Sequence, residues 1–268
     1  MSHVTFDTGV PHPARVYDYF LGGKDNFAAD REVAEQVLRA MPVMAEVARG
    51  CRLFLATAVH YLAAEQGIRQ FLDIGTGLPT ANNTHQVAQR AAPESRIVYV
   101  DNDPIVLSHA KALLKSDPRG RCAYIDADAR DADTVLSGAR QTLDFGQPVG
   151  VIMMGLLHFI PEADSPYSLP GAYLDAVPAG SYLVASHASS DIEHDGQSEA
   201  GDRYNARSAI PITMRSRAEF GRFFRGLEVV PPGIVPLGQW APGAAAPSAG
   251  DEGGAGALPT YTAVARKP

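Results

Sequence analysis

From residue 70 onwards the chain repeats one rhythm: a short apolar run, a few loop residues, then a stretch of helix length. The runs are QFLDI (70–74), RIVYV (96–100), CAYID (122–126), VGVIMM (149–154) and GSYLVAS (180–186). Between them lie helix-length stretches reaching to about Ala91, from Pro104 to Leu114, from Ala132 to Leu143 and from Leu169 to Val177. Such alternation permits little besides parallel strands joined by crossover helices, because each connection is too long for a hairpin and long enough to return the chain to the same edge. The near-continuous apolar character of VGVIMM fits a central strand covered on both faces. Later, Ser216 and Glu219 form a capping-box pattern before RAEFGRFF. Further strands are expected near 227–240 and at YTAVAR (261–266).

The first seventy residues follow a different period. RVYDYFLGG (15–23) reads as a short helix stopped by glycines, Asp30 opens a helix that Pro42 breaks, and a longer helix carries Val43, Val47, Phe54, Leu55, Ala58 and Leu62 on one face. The expected organisation is therefore a helical cover over 1–68 and a sheet-bearing domain over 69–268. Within the latter, the Ala-, Gly- and Pro-rich stretch 241–258 is expected to be a flexible loop. No repeat at solenoid spacing is visible.

Composition narrows the function. The 268 residues carry a formal charge of −7, against the basic surface that neutralising nucleic-acid phosphates requires. The longest uncharged apolar run, PVGVIMMGLLHFI, is 13 residues, too short for a bilayer span, and MSHVTFDTGVPHP lacks a signal-peptide pattern. A cytoplasmic protein without nucleic-acid or membrane partners is expected. Cys51 and Cys122 have no C-x-x-C spacing and read as plain core thiols.

The chemistry concentrates at FLDIGTGLPT (71–80), where a strand gives way to a helix. Gly75 and Gly77 allow a sharp turn and a close ligand approach, but Thr80 stands where a dinucleotide loop has its third glycine, and no G-K-[ST] follows. Asp73, two residues before the first glycine, would repel a pyrophosphate and favour a ligand carrying positive charge. S-adenosylmethionine is such a ligand: a nucleoside joined to a sulfonium and an amino acid, without phosphate. The next strand ends in VYVDNDP and places Asp101, 24 residues after Gly77, where a carboxylate accepts both ribose hydroxyls. The third ends in IDADARD, with Asp128 and the backbone after it near the adenine edge. The bland alternative makes these acids turn or helix caps, a role that Asp103, before Pro104, fits best.

Taken together, ARVYDYFLGGKDNFAADR, FLDIGTGLPT, VYVDNDPIVL, LLHFIPE and YTAVARKP resemble an actinobacterial family of class I S-adenosylmethionine-dependent methyltransferases whose substrates are largely unknown. The resemblance spans nearly the whole chain. It implies a Rossmann-like seven-stranded α/β sheet in the order 3-2-1-4-5-7-6, with the last strand added antiparallel, under a helical N-terminal cover. It implies that Asp73, Gly75 and Gly77 line the methionine end, Asp101 and Asn102 the ribose, and Asp128 and Ala129 the adenine; Thr76 and Gly155 are further cofactor-binding candidates. Leu78-Pro79 departs from the wider class, which often has another glycine here, so the methionine carboxylate is expected to be held differently.

For chemistry, His158 in MMGLLHFIPE is the candidate general base; the alternative is a ring packed under the site and bonded to a backbone carbonyl. YDYFLGGKDNF reads as a lid, with Tyr17, Tyr19 and Phe27 as an aromatic wall beside the sulfonium, Tyr19 near the reacting atoms. Gly23 then serves as hinge, and Lys24 and Asn26 as polar contacts. The alternative is a helix end followed by a capped helix. Arg203 and Tyr204 are further substrate candidates. His187, Asp191, His194 and Asp195 lack the spacing of a metal site, so no metal is expected. The expected activity is methyl transfer from S-adenosyl-L-methionine to a small-molecule acceptor, a secondary metabolite in class, releasing S-adenosyl-L-homocysteine. Transfer of the 3-amino-3-carboxypropyl group, or a non-catalytic sensor of the same ligand, are the alternatives; a nucleotide-dependent oxidoreductase is disfavoured by Asp73 and Thr80.

Overall fold

The apolar runs all become strands of one sheet in the computed structural model, which describes residues 7–113, 115–245 and 256–268. In chain order come α1 (Pro13–Phe20), α2 (Ala28–Ala40), α3 (Met44–Ala64), β1 (Gln70–Ile74), α4 (Thr84–Ala91), β2 (Arg96–Asp101) and α5 (Pro104–Leu113). They are followed by β3 (Arg121–Asp126), α6 (Ala132–Ala139), β4 (Gly150–Met153), α7 (Leu169–Leu174), β5 (Tyr182–Ala188) and α8 (Gln197–Asn205). The chain closes with α9 (Arg217–Gly221), β6 (Glu228–Val229), β7 (Val235–Leu237) and β8 (Leu258–Arg266).

The strands lie in the order β3-β2-β1-β4-β5-β8-β6, with β7 also on β8. β1 to β5 are mutually parallel, while β8 runs antiparallel to β5, β6 and β7. This is the expected methyltransferase order with one difference, eight strands among the described residues instead of seven. β6 and β7 both pair the free edge of β8, so together they fill a single strand position. Pro231-Pro232 fall between them and lack the amide hydrogens a continuous ladder needs.

Strand periodicity sorts the core. Leu72, Ile74, Val98, Val100, Val151 and Met153 point to one face, under α6, α7 and α9. Phe71, Ile97, Tyr99, Ile152, Val184 and Val264 point to the other, where α3 supplies Phe54, Leu55, Ala58, Val59 and Leu62. Gly150 makes this packing possible, since a Cβ there would come within 2.9 Å of the Phe71 ring. The helical N-terminal segment is thus divided in its packing. α3 belongs to the sheet, whereas α1 and α2 share a separate apolar cluster with α8, built on Val16, Phe20, Val37, Met41, Ala200 and Tyr204.

Several helix ends match their sequence signals. Asp103 Oδ1 accepts the Ile105 amide at 2.9 Å, and Ser216 and Glu219 cap each other's backbone ahead of α9. α8 was not expected, because QSEAGDRYN has few apolar residues and buries only Ala200, Gly201 and Tyr204. Of the loop expected over 241–258, residues 246–255 lie outside the described residues and Leu258 already belongs to β8. Among the described residues no helix is long and apolar enough to cross a membrane.

This topology has one functional consequence. The sheet reverses its winding direction between β1 and β4, and the crevice beyond the carboxyl ends of those strands is where open α/β sheets bind ligands.

Candidate cofactor and acceptor site

A cavity of roughly 520 Å³ occupies that crevice and extends beneath α1, α2 and α8. All nine residues expected to hold a cofactor lie on its wall: Asp73, Gly75, Thr76, Gly77, Asp101, Asn102, Asp128, Ala129 and Gly155.

The glycine loop is anchored from behind. Gly75 and Thr76 donate their amides to the Val100 carbonyl at 2.9 and 3.1 Å, and Gly77 donates to Asp101 Oδ2 at 2.8 Å. Both glycines have positive φ, 71° and 66°, a region costly for residues with a Cβ. Leu156 closes one side, 2.9 Å from where a Gly75 Cβ would stand, whereas a Cβ on Gly77 would meet nothing within 4 Å. The open side of Gly77 is therefore a cradle with room for a ligand against bare backbone.

Asp101 also accepts the Asp103 amide at 2.9 Å through Oδ1. A carboxylate offers about four acceptor sites, so two remain for a ligand. Burial raises its pKa while the two amides pull the other way. Asp73 is more isolated. Among the described residues its carboxylate has one hydrogen bond, from Thr84 Oγ1 at 2.6 Å, and burial pushes its pKa up to about 6 despite that bond and the nearby Arg52 guanidinium. Asp128 differs again, because Arg130 grips both its oxygens, at 2.9 and 2.6 Å, and holds its pKa low. Its side chain is largely committed, and the cavity meets the Ala127–Ala129 backbone beside it, fixed by the Tyr173 hydroxyl donating to Ala129 O at 2.6 Å. Asp131 is a cap, accepting the Thr134 amide.

His158 reaches the cavity from the turn after β4. Its ring packs against Phe159 and His187, as the packed alternative has it, but its Nδ1 is buried without a hydrogen-bond partner and makes no bond to a backbone carbonyl. Burial first, then His187 and Arg215, hold its pKa well below the ordinary imidazole range, and the ring is neutral at neutral pH. Behind it, Arg215 is 1% exposed and donates to Leu157 O, Ile160 O and His187 Nε2, each at 3.0 Å, with Glu162 as its carboxylate partner. His187 Nδ1 lies 2.8 Å from Ala188 O, so the proton sits on Nδ1 and Nε2 accepts from Arg215. Burial drops the His187 pKa to about 4. Arg215 thus pins the His158 turn to the end of β5. Sequence reading missed it, since nothing in ITMRSRAEF distinguishes one arginine from its neighbours.

Arg52 was missed as well. It stands one residue past Cys51 on α3, lines the cavity, and donates to the Asn82 carbonyl at 3.1 Å while its Nε is buried without a partner. The helical spacing of Val47, Cys51 and Leu55 was the available signal, because the next residue borders the same face. Cys51 itself is an inert thiol, pushed up to about 12 by burial.

The expected lid requires correction. Tyr17 does line the cavity, its hydroxyl donating to Ala48 O at 2.9 Å, but Tyr19, Gly23, Lys24, Asn26 and Phe27 do not. Tyr19 points its hydroxyl to Glu35 near the surface, and Lys24 is exposed. The rest of the motif is organised around the Asp18 carboxylate, which accepts the Asp25 amide at 2.9 Å and the Asn26 side chain at 2.8 Å. Gly23 is needed there because a Cβ would sit 2.0 Å from Asp18 Oδ1. Phe27 precedes α2 and gives its amide to Asp30. Tyr204 lines the cavity with its hydroxyl buried, whereas Arg203 turns away to Gln36 O and Glu199. Among the described residues no three His, Cys, Asp or Glu side chains gather as metal ligands.

Residues 2–268 match the family described as S-adenosyl methyltransferase. The chain belongs to that family. A DUF574 family protein from Streptomyces avermitilis MA-4680 is 43% identical, with 98% of this chain and 99% of that one covered at a TM-score of 0.89. A protein from Thermobifida fusca YX, provisionally described as a methyltransferase, is 37% identical over 97% and 96% of the two chains, at a TM-score of 0.86. The mitomycin 7-O-methyltransferase MmcR shares the fold alone, at 17% identity, 97% and 74% coverage and a TM-score of 0.53. No functionally curated protein matches the sequence.

Proposed function

We propose that this family member binds S-adenosyl-L-methionine in the crevice between β1 and β4 and transfers its methyl group to a small molecule held in the rest of the cavity. The observation that carries the reading is the charge arrangement at the glycine loop. A buried carboxylate, Asp73, and a guanidinium with an unpartnered Nε, Arg52, border one cavity with the bare backbone of Gly77. An α-amino acid presents the complementary pair, ammonium and carboxylate. A pyrophosphate would have Arg52 but would also face Asp73, Asp101 and Asp128.

In this reading Asp73 and Arg52 hold the amino-acid end, Asp101 takes the ribose hydroxyls on its two remaining acceptor sites, and the Ala127–Ala129 backbone borders the adenine. When bound, the cofactor supplies a methyl group already activated by its sulfonium. The chain's task is then alignment and exclusion of water, and alignment in well-oriented systems is worth roughly 7–11 kcal/mol of barrier. The helices α1, α2 and α8 enclose the acceptor. Where the acceptor must lose a proton, this reading assigns its removal to His158, which lines the cavity as a neutral ring beside the Arg215 framework.

Calorimetric titration with S-adenosylmethionine, S-adenosylhomocysteine and NAD tests the cofactor. Saturable binding of the first two and none of NAD is expected, with Arg52→Met weakening both sulfur compounds by at least about tenfold through loss of a charge-assisted contact. Tight NAD binding with no response to either would overturn the assignment. Incubation with labelled methyl donor and metabolite extract then separates enzyme from sensor, label in a small molecule supporting transfer and its absence across broad extracts opposing it.

A further inference from the structure

The cavity continues well past the residues assigned to the cofactor, and its character changes there. Its Asp, Glu, Lys and Arg side chains are Arg52, Asp73, Asp101, Asp128 and Arg130. Each belongs to the glycine loop side: three sit at the ends of β1, β2 and β3, Arg130 is paired to Asp128, and Arg52 bonds the carbonyls of Ala81 and Asn82. The remaining described wall, built from α1, α2, the first turns of α3, the turn after β4, α8 and the segment before Arg215, carries none of these residues. That segregation is marked in a chain where they make up 20% of the sequence.

Three polar side chains on this wall are engaged with the protein itself, while the buried His158 Nδ1 and Tyr204 hydroxyl, neither of them a charged group, have no hydrogen-bond partner among the described residues. The Tyr17 hydroxyl donates to Ala48 O, Ser186 Oγ accepts the Gly155 amide, and the Gln197 amide bonds Ser189 O. An ionised acceptor would lose its hydration without meeting a counter-charge, which is strongly unfavourable. Methionine is also concentrated here. Met41, Met44, Met154 and Met214 line the cavity, four of the six in the chain. Unbranched, polarizable side chains of this kind repack around ligands of different outline.

We propose that the acceptor is a neutral, predominantly apolar molecule, and that the methionine wall admits it with relaxed shape selectivity. The inference rests on the reading of the glycine-loop side as the cofactor cleft.

Three probes of one shape and different charge test it: 1-naphthol, 1-naphthoate and 1-naphthylmethylammonium, titrated calorimetrically into protein saturated with S-adenosylhomocysteine. Naphthol is expected to bind at least about tenfold more tightly than either ion. Met44→Lys, at a half-buried position that opens α3, is expected to narrow or reverse the gap between naphthol and naphthoate while leaving the homocysteine compound bound. Equal or tighter binding of an ion to the unaltered protein, or binding of none of the three, would overturn the inference and leave the cofactor assignment standing. Failure of S-adenosylhomocysteine to bind at all would instead remove the cofactor assignment, and this inference with it. Should the lysine variant lose that compound through misfolding, the comparison of three charges on the unaltered protein still decides.

Discussion

Asp73 shows how far single residues could be read in advance. Its position before the glycines marked it as a carboxylate facing a ligand, and the cavity wall includes it. What spacing did not convey is its isolation, with one hydroxyl donor and a pKa raised to about 6. Relative to an ordinary aspartate near 4, that shift means that burying the ionised form costs about 2–3 kcal/mol above pH 6. The sign follows from proton binding. Between pH 4 and 6 the folded state holds more proton at Asp73 than the unfolded state, so its contribution to stability falls as pH rises and is fully unfavourable above about 6. Asp73→Asn is therefore expected to raise the melting temperature at pH 8 and leave it nearly unchanged at pH 4, as thermal denaturation would record. A cation beside Asp73 favours the ionised carboxylate, so S-adenosylmethionine should bind more weakly as pH falls from 7 to 5 in the unaltered protein. The variant should bind at least about tenfold more weakly, with that pH dependence largely lost. A melting temperature equally lowered at both pH values would show that the carboxylate stabilises the fold, contrary to this account.

At the scale of elements, the sheet was legible and the N-terminal motif was not. β1 occupies Gln70–Ile74 as its apolar run indicated, and the parallel order follows from helices long enough to cross over. Two elements escaped for physical reasons: α8 has too little apolar periodicity to announce itself, and the strand beside β8 is split by residues that cannot donate to a ladder. YDYFLGGKDNF misled in another way. Glycines beside a lysine and an asparagine suit a ligand-binding lid, but they suit a folded loop closed on a carboxylate equally well, and only three-dimensional placement separates the two. Gly23→Ala and Lys24→Ala make the distinction measurable. The first drives a methyl group into Asp18 and disturbs the bonds to Asp25 and Asn26, a clash of the kind that costs about 1–3 kcal/mol, so the melting temperature should fall clearly. The second removes an exposed side chain outside the cavity and should change neither melting temperature nor S-adenosylhomocysteine affinity. A loss of affinity in Lys24→Ala at full stability would restore the lid.

For the molecule as a whole, the apolar cluster that the first two helices share with α8 meets the sheet layer through α3, where Ala48 joins the cluster and its carbonyl accepts the Tyr17 hydroxyl. A small group of charges supplies a second junction. Asp103, at the tip of β2 beside Asp101, has Oδ2 3.1 Å from His12 Nδ1 and 3.3 Å from Arg15 Nε, and Arg15 lies 3.6 Å from Asp30. Arg15, Asp30 and Asp103 are all buried, and Ala14 and Phe27 pack on Leu78, Ile105 and Val106 alongside. The junction is therefore close to the place assigned to the ribose, and His12, Pro13 and Ala14 themselves form part of the cavity wall. Binding and docking of α1 should be coupled through it. Asp103→Asn keeps an acceptor for the Ile105 amide but removes the charge opposite Arg15. Leaving one member of a buried pair alone costs about 3–5 kcal/mol, and Asp30 offsets part of that here. The expected result is a lower melting temperature, faster proteolysis between residues 7 and 27, and S-adenosylhomocysteine affinity reduced severalfold, with the ligand protecting the variant from the protease. Faster proteolysis with undiminished affinity would separate the two, and α1 would then be a structural brace that plays no part in closing the cleft.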